Sequence, residues 1–194
     1  MRPDWYRNQT RLRYSTRCLW ISQNGAGSRR RGTSDTCSSF GHWRRGGRSD
    51  VLHRVYSRDG LGSYGGILKK GLTAMPETWD AMTDGYQSHN HCMLGHVIEW
   101  FYGYVGGIRQ QAGDVGWKRV LIAPVPGPLS HAEVTFESPA GRITSRWTVE
   151  SGKFTLRAEV PDGVHAMLRA PDGTSRDVGS GKHELEGRYE RAAQ

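Results

Sequence analysis

Ala132-Glu133-Val134-Thr135-Phe136-Glu137 alternates apolar and polar side chains without a break, and two further runs repeat the pattern. Ile143, Ser145, Trp147 and Val149 alternate with Arg142, Thr144, Arg146 and Thr148. Phe154, Leu156, Ala158 and Val160 alternate with Lys153, Thr155, Arg157 and Glu159. Successive side chains of a strand point to opposite faces, so each run predicts a strand with one buried face. Trp147 is in phase with the buried set and reads as core rather than as an exposed platform. Pro139-Ala140-Gly141, Ser151-Gly152, Pro161-Asp162-Gly163 and Pro171-Asp172-Gly173 punctuate the region with turn chemistry. Short strands at this spacing predict a small antiparallel β-sandwich.

Upstream the period changes. Val51, Leu52 and Val55 share one face of a short predicted helix. Residues 64–72 predict a second, with Gly60, Gly62, Gly65 and Gly66 making its start a loop and Pro76 ending it. Residues 91–108 predict the longest helix, because Leu94, Val97, Ile98, Phe101, Tyr104, Val105 and Ile108 recur at helical spacing. Asn90 or Ser88 is expected to cap it, and Gly106-Gly107 weakens its last turn. The boundary between helical and strand regions is expected near residues 113–116.

Composition separates a third region. The chain has 194 residues, 36% of them hydrophobic, and a formal charge of +8. Residues 1–50 hold eleven Arg, three Asp and no Lys or Glu, so 11 − 3 gives the whole +8. Residues 51–194 hold sixteen basic and sixteen acidic residues, which cancel. Basic residues with Trp5, Trp20 and Trp43 among them allow a single-strand nucleic-acid reading of residues 1–50. No recognition motif accompanies it. Cys18, Cys37 and Cys92 have neither disulfide-framework nor zinc spacing. No secretory signal and no membrane-spanning stretch is visible, so the expected location is cytoplasmic and no membrane partner is implied.

The candidate chemistry lies in Met75-Pro76-Glu77-Thr78-Trp79-Asp80 and Ser88-His89-Asn90-His91. A carboxylate, an indole and an imidazole then stand close to the start of one apolar helix. An aromatic face packs on the C–H side of a pyranose, and a carboxylate can take a proton from water. The competing readings are ordinary: a solvated Glu77, a core Trp79, and an Asp80 that hydrogen-bonds loop backbone. His89, His91 and His96 have spacing for a metal, but no acidic ligand stands beside them. No metal or other cofactor is expected.

The ordered series carries more weight than any one piece. Ser63-Tyr64-Gly65-Gly66-Ile67-Leu68, then 71–80, then 88–91, then 99–108 follow one another. Ile122-Ala123-Pro124 and Ser138-Pro139-Ala140-Gly141-Arg142-Ile143 come next. From about Gly47 to Glu186 the chain resembles the C-terminal part of a bacterial α-L-rhamnosidase, of glycoside hydrolase family 78. The resemblance implies an α + β multi-part fold: helices of a partial (α/α)6 six-hairpin barrel over 47–113, then the C-terminal antiparallel β-sandwich over 114–190. It implies hydrolysis that releases terminal α-L-rhamnose from rhamnosides with inversion. Inversion uses two carboxyl groups about 6.5–9.5 Å apart with a water between.

By place in the motif, Glu77 resembles the general base. His91 resembles the histidine lining the rhamnose pocket, and Trp79 and Asp80 match substrate-contacting positions around the base. His89 stands where the family more often has an apolar residue, and Pro76 replaces a frequent aromatic one. The family's general acid lies far upstream, and no region here matches it, so the expectation is a fragment inactive alone. The sandwich suggests an alternative, a non-catalytic carbohydrate-binding module.

Residues 1–46 are expected to be non-native and disordered. One choice of codons for Thr33–Trp43, read one base earlier, encodes an amphipathic helix start. A frameshifted origin would also account for the arginines.

Overall fold

The computed structural model describes residues 11–12, 49–60, 62–79 and 87–190. The expectation for residues 1–46 therefore lies outside the described residues, apart from Arg11–Leu12. The chain divides into two compact units, one of residues 25–99 and the other of residues 100–194 together with Arg11–Leu12.

In the first unit, helix α1 spans Ser49–Ser57 and helix α2 spans Tyr64–Lys69. The start of α2 is fixed by Ser63. Its Oγ accepts from the Gly66 N–H at 3.1 Å and lies 2.6 Å from the Arg58 carbonyl and 2.7 Å from that of Gly60. Gly65 and Gly66 were expected in the loop before this helix; they lie inside it. Close approach is the reason. A Cβ on Gly65 would sit 2.2 Å from the Arg58 oxygen, and one on Gly66 would sit 2.3 Å from the Gly60 oxygen. The helix stops at Lys69, short of the expected residue 72. Gly71 adopts φ +75°, and the Gly71 and Leu72 N–H groups bond back to Leu68 and Ile67 at 2.9 and 3.4 Å. That is a left-handed glycine cap, which closes the last turn.

The single helix expected over residues 91–108 is instead a series of short turns. Met93–His96 is a 3-10 turn, Val97–Trp100 is helix α3, and Phe101–Val105 is a π turn. The first turn has Cys92 at its cap position without a side-chain bond, so neither Ser88 nor Asn90 serves there. Gly95, Gly103 and Gly106 each lower helix propensity within the run. Gly107, at φ +78°, then turns the chain into a strand. Ile108, expected as the end of a helix, pairs instead with Ile122.

The second unit is a two-sheet sandwich. Its strands are β1 (Arg11–Leu12), β2 (Ile108–Gln110), β3 (Arg119–Ile122), β4 (His131–Ser138), β5 (Gly141–Glu150), β6 (Lys153–Val160), β7 (His165–Arg169), β8 (Ser175–Val178) and β9 (Gly181–Arg188). One sheet has the order β1-β4-β5-β6-β9, the other β2-β3-β7-β8. The strand region thus opens at residue 108, ahead of the period change near 113–116. Strands β4, β5 and β6 form an antiparallel meander to which β9 adds antiparallel beside β6, with Val134 opposite Ser145 and Trp147 opposite Leu156. Two pairings are parallel, β3 with β7 and β1 with β4. Strand β7 meets β3 only after the excursion through β4–β6, so no tight hairpin joins them.

The three alternating runs form β4, β5 and β6, with the predicted faces inward. Ile143, Trp147, Phe154 and Leu156 of this sheet and Val120, Ile122 and Leu168 of the other are all fully buried. Trp147 is core, as its phase implied, and its Nε1–H donates to the Val105 carbonyl at 2.8 Å. The outer face of the larger sheet is charged. Glu133 pairs with Arg146 at 2.7 Å and Arg157 with Glu184 at 2.6 Å, in one row where the two arginines stand opposite each other. Among the described residues no helix is long and apolar enough to cross a membrane.

Candidate functional site

The site residues named from sequence fall on two arms of the first unit. The outgoing arm, 75–79, carries Glu77 and Trp79. The returning arm, 87–91, ends on His91. Asp80 lies outside the described residues, within the connection between the arms.

Backbone bonds pin the arms together. The His91 N–H donates to the Met75 carbonyl at 2.7 Å, and the Glu77 N–H donates to the Ser88 carbonyl at 2.9 Å. The Thr78 hydroxyl donates to the Gln87 side-chain oxygen. Residues 75 and 91, sixteen apart in sequence, are therefore paired directly. The Glu77 carboxylate is oriented by the same pairing: the Ser88 N–H donates to its Oε2 at 3.1 Å. Glu77 and His91 are both half-buried, so neither is sealed from water. From sequence, Ser88 is part of a motif and a candidate helix cap. Its role in holding the carboxylate is visible only in the fold.

Trp79 is half-buried and meets Tyr64 edge-on, with ring centroids 5.1 Å apart at 82°. Tyr64 in turn meets Tyr56 at 4.8 Å and 71°. Its hydroxyl donates to the Leu94 carbonyl at 2.6 Å, buried from solvent. Burial pushes the Tyr64 hydroxyl well above the usual phenol range; burial and the neighbouring Tyr64 do the same to Tyr56. Tyr64 therefore keeps its proton as a donor. Sequence reading gave Tyr64 no role, because an edge contact between rings leaves no spacing signal.

Among the described residues no group of three or more His, Cys, Asp or Glu side chains is arranged to hold a metal ion. What the arms present is an oriented carboxylate, a backbone-anchored histidine segment and a braced indole. That set can hold a hydroxyl-rich ligand and accept a proton from water.

Known proteins give the arrangement a family. Residues 42–105 match the bacterial α-L-rhamnosidase six-hairpin glycosidase domain, and residues 107–185 match the bacterial α-L-rhamnosidase C-terminal domain. An α-L-rhamnosidase of Streptomyces avermitilis is 34% identical over 166 residues, covering 72% of this chain and 16% of that protein. One from Formosa agariphila is 28% identical over 126 residues, covering 63% of this chain and 13% of that protein. The crystal structure of the S. avermitilis enzyme complexed with L-rhamnose matches with a TM-score of 0.68 and 31% identity, over 75% of this chain and 17% of that one. A rhamnosidase structure from Aspergillus terreus matches with a TM-score of 0.67 and 30% identity, over 79% and 18% of the two chains. The chain thus spans 16% or less of these curated relatives. Both arms lie inside the six-hairpin match and the sandwich fills the C-terminal one, so this chain belongs to the bacterial α-L-rhamnosidase family, as a C-terminal stretch comprising the end of the six-hairpin domain and the C-terminal domain.

Proposed function

We propose that the chain supplies the water-activating end of an inverting α-L-rhamnosidase site. The observation that carries this is the pairing of the two arms, with the Glu77 carboxylate held by the Ser88 N–H at 3.1 Å within the six-hairpin match. A general base must present a carboxylate lone pair to an O–H of the water, and a backbone donor on Oε2 helps fix that orientation. In the proposed step Glu77 takes a proton from a water lying opposite the scissile bond. The water oxygen attacks the anomeric carbon as the bond to the leaving oxygen breaks. A second carboxyl group, from the part of the enzyme that precedes this stretch in its relatives, gives its proton to that oxygen. A separation of about 6.5–9.5 Å between the two leaves room for the water and inverts the centre. Trp79 would lie against the C–H face of the rhamnosyl ring, with His91 and Asp80 contacting its hydroxyls. The sandwich is a scaffold in this reading: the full burial of Trp147 favours that over a sugar-binding role.

The chain alone is expected to be inactive, since the helices among its described residues, two over 49–69 and a few turns beyond, do not close a six-hairpin barrel. Two assays test the proposal. An aryl α-L-rhamnoside is offered to the chain, and also to an S. avermitilis enzyme whose corresponding stretch is replaced by residues 47–190. The chain should show no turnover. The chimera should turn over, with the inverted anomer first in the proton NMR spectrum. Glu77→Gln in the chimera should lower kcat by about 10²–10⁴-fold. Full activity of that variant removes Glu77 as base; a retained anomer removes inversion; turnover by the chain alone removes the fragment reading.

A further inference from the structure

Tyr64 touches both arms' surroundings at once. Its ring packs T-shaped against the Trp79 indole, centroids 5.1 Å apart, and against Tyr56, centroids 4.8 Å apart, and its hydroxyl donates to the Leu94 carbonyl at 2.6 Å. Leu94 lies in the 3-10 turn Met93–His96, just beyond His91. The backbone following Tyr64 leaves no room for side chains, since a Cβ at Gly65 or Gly66 would lie 2.2 or 2.3 Å from the Arg58 or Gly60 carbonyl oxygen. The side chain is buried, at 7% exposure, so it cannot contact a sugar in solution itself.

We infer that Tyr64 is a positioning residue: it sets the tilt of the Trp79 indole and ties it to the segment carrying His91. This rests on reading Trp79 and His91 as rhamnose contacts. An indole that is already held in place loses little rotamer freedom when a sugar packs on it, so bracing it improves affinity without a new contact. A T-shaped ring pair is suited to that task, since the edge of one ring fixes the plane of the other.

The test uses the full chain grown with 5-fluorotryptophan, and the fluorine resonance of Trp79 assigned by Trp79→Phe. Tyr64→Leu removes both ring contacts and should shift or broaden the Trp79 line while leaving those of Trp100 and Trp147 in place. An unmoved Trp79 line overturns the inference. Equal movement of all three lines also overturns it, because that signals general loosening. L-rhamnose is then titrated against the same line. Tyr64→Leu should weaken binding roughly three- to tenfold, and Tyr64→Phe, which keeps the ring, by less than about threefold. If rhamnose leaves the wild-type Trp79 line unmoved, the sugar reading falls, a result separate from the line comparison in the free protein. If Tyr64→Leu does not fold, Tyr64→Phe decides by amide exchange. Faster exchange at the His91 N–H, which bonds Met75, supports the tie; unchanged exchange overturns it.

Discussion

Ser145 and Trp147 stand two residues apart on the same buried face of β5 and make opposite contributions. Trp147 fills the core and spends its one polar atom on the Val105 carbonyl at 2.8 Å. Ser145 is fully buried, and among the described residues its Oγ has no hydrogen-bond partner. Burying an unpaired hydroxyl costs free energy that an apolar group of similar size does not. Ser145→Ala should therefore raise stability by about 0.5–1 kcal/mol in urea denaturation. Trp147→Ala should lower it by about 3–5 kcal/mol, by opening a cavity and stranding the Val105 carbonyl. The phase of β5 showed both residues as core. That one of them would lack a partner was not legible, because partners come from across the fold.

At the scale of elements, legibility followed length and burial. Strands β4, β5 and β6 were readable because eight to ten residues bury one face continuously. Strand β2, with three residues, is too short to display a period. Strand β9 buries only Leu185 among its residues, so its sequence does not alternate. The expected long helix failed for another reason: apolar residues every three to four positions suit 3-10, α and π turns alike, and the glycines decide among them. Gly107→Ala tests how firmly they do. A Cβ there would lie 2.3 Å from the Pro124 nitrogen, at a φ of +78°. Gly163 has φ +73° but nothing within 4 Å of an added Cβ. Gly163→Ala should cost about 1–2 kcal/mol from backbone alone, and Gly107→Ala at least about 3 kcal/mol, both read from thermal unfolding. The two-armed site was legible only as nearby motifs; the pairing of Met75 with His91 was not, since it depends on backbone groups common to every residue.

Asp172 links elements through charge. Its Oδ1 accepts the Thr174 N–H at 2.9 Å and its Oδ2 accepts the Arg188 N–H at 2.6 Å, tying the β7–β8 turn to β9. These bonds, the Thr174 backbone first and Arg188 next, hold its carboxyl below the usual range. A depressed folded pKa means stability that is present at neutral pH and is lost as pH falls through the folded value. The loss should begin below about pH 4. Asp172→Asn should flatten that acid limb in melting curves taken from pH 6 downward. An unchanged limb would place the acid sensitivity elsewhere.

For the whole molecule, charge is divided unevenly along the sequence. The formal +8 is carried by residues 1–50, while residues 51–194 balance. Deleting residues 1–50 should abolish retention on a cation exchanger at pH 7. Salt-sensitive DNA retention that persists after the deletion would reveal a basic surface on the remainder. The four described ion pairs of the larger sheet stay in both forms, and each has at least one exposed partner. Such pairs are screened and individually weak, so moderate salt should leave the melting temperature of the truncated chain nearly unchanged.

The wide turn Phe101–Val105 has a consequence for how this chain tolerates edits. Its closing bond runs from the Gly106 N–H to the Phe101 carbonyl at 2.8 Å, one residue longer than an α-helical turn. Such a turn is an α-helix with one residue inserted. Excising a single residue there would restore ordinary helical geometry and rotate everything downstream by about 100°. Gly106 would leave its place against Val134, and Gly107 its place against Pro124. The most conservative-looking deletion in the chain, one that repairs a helix, would thus be among the most damaging.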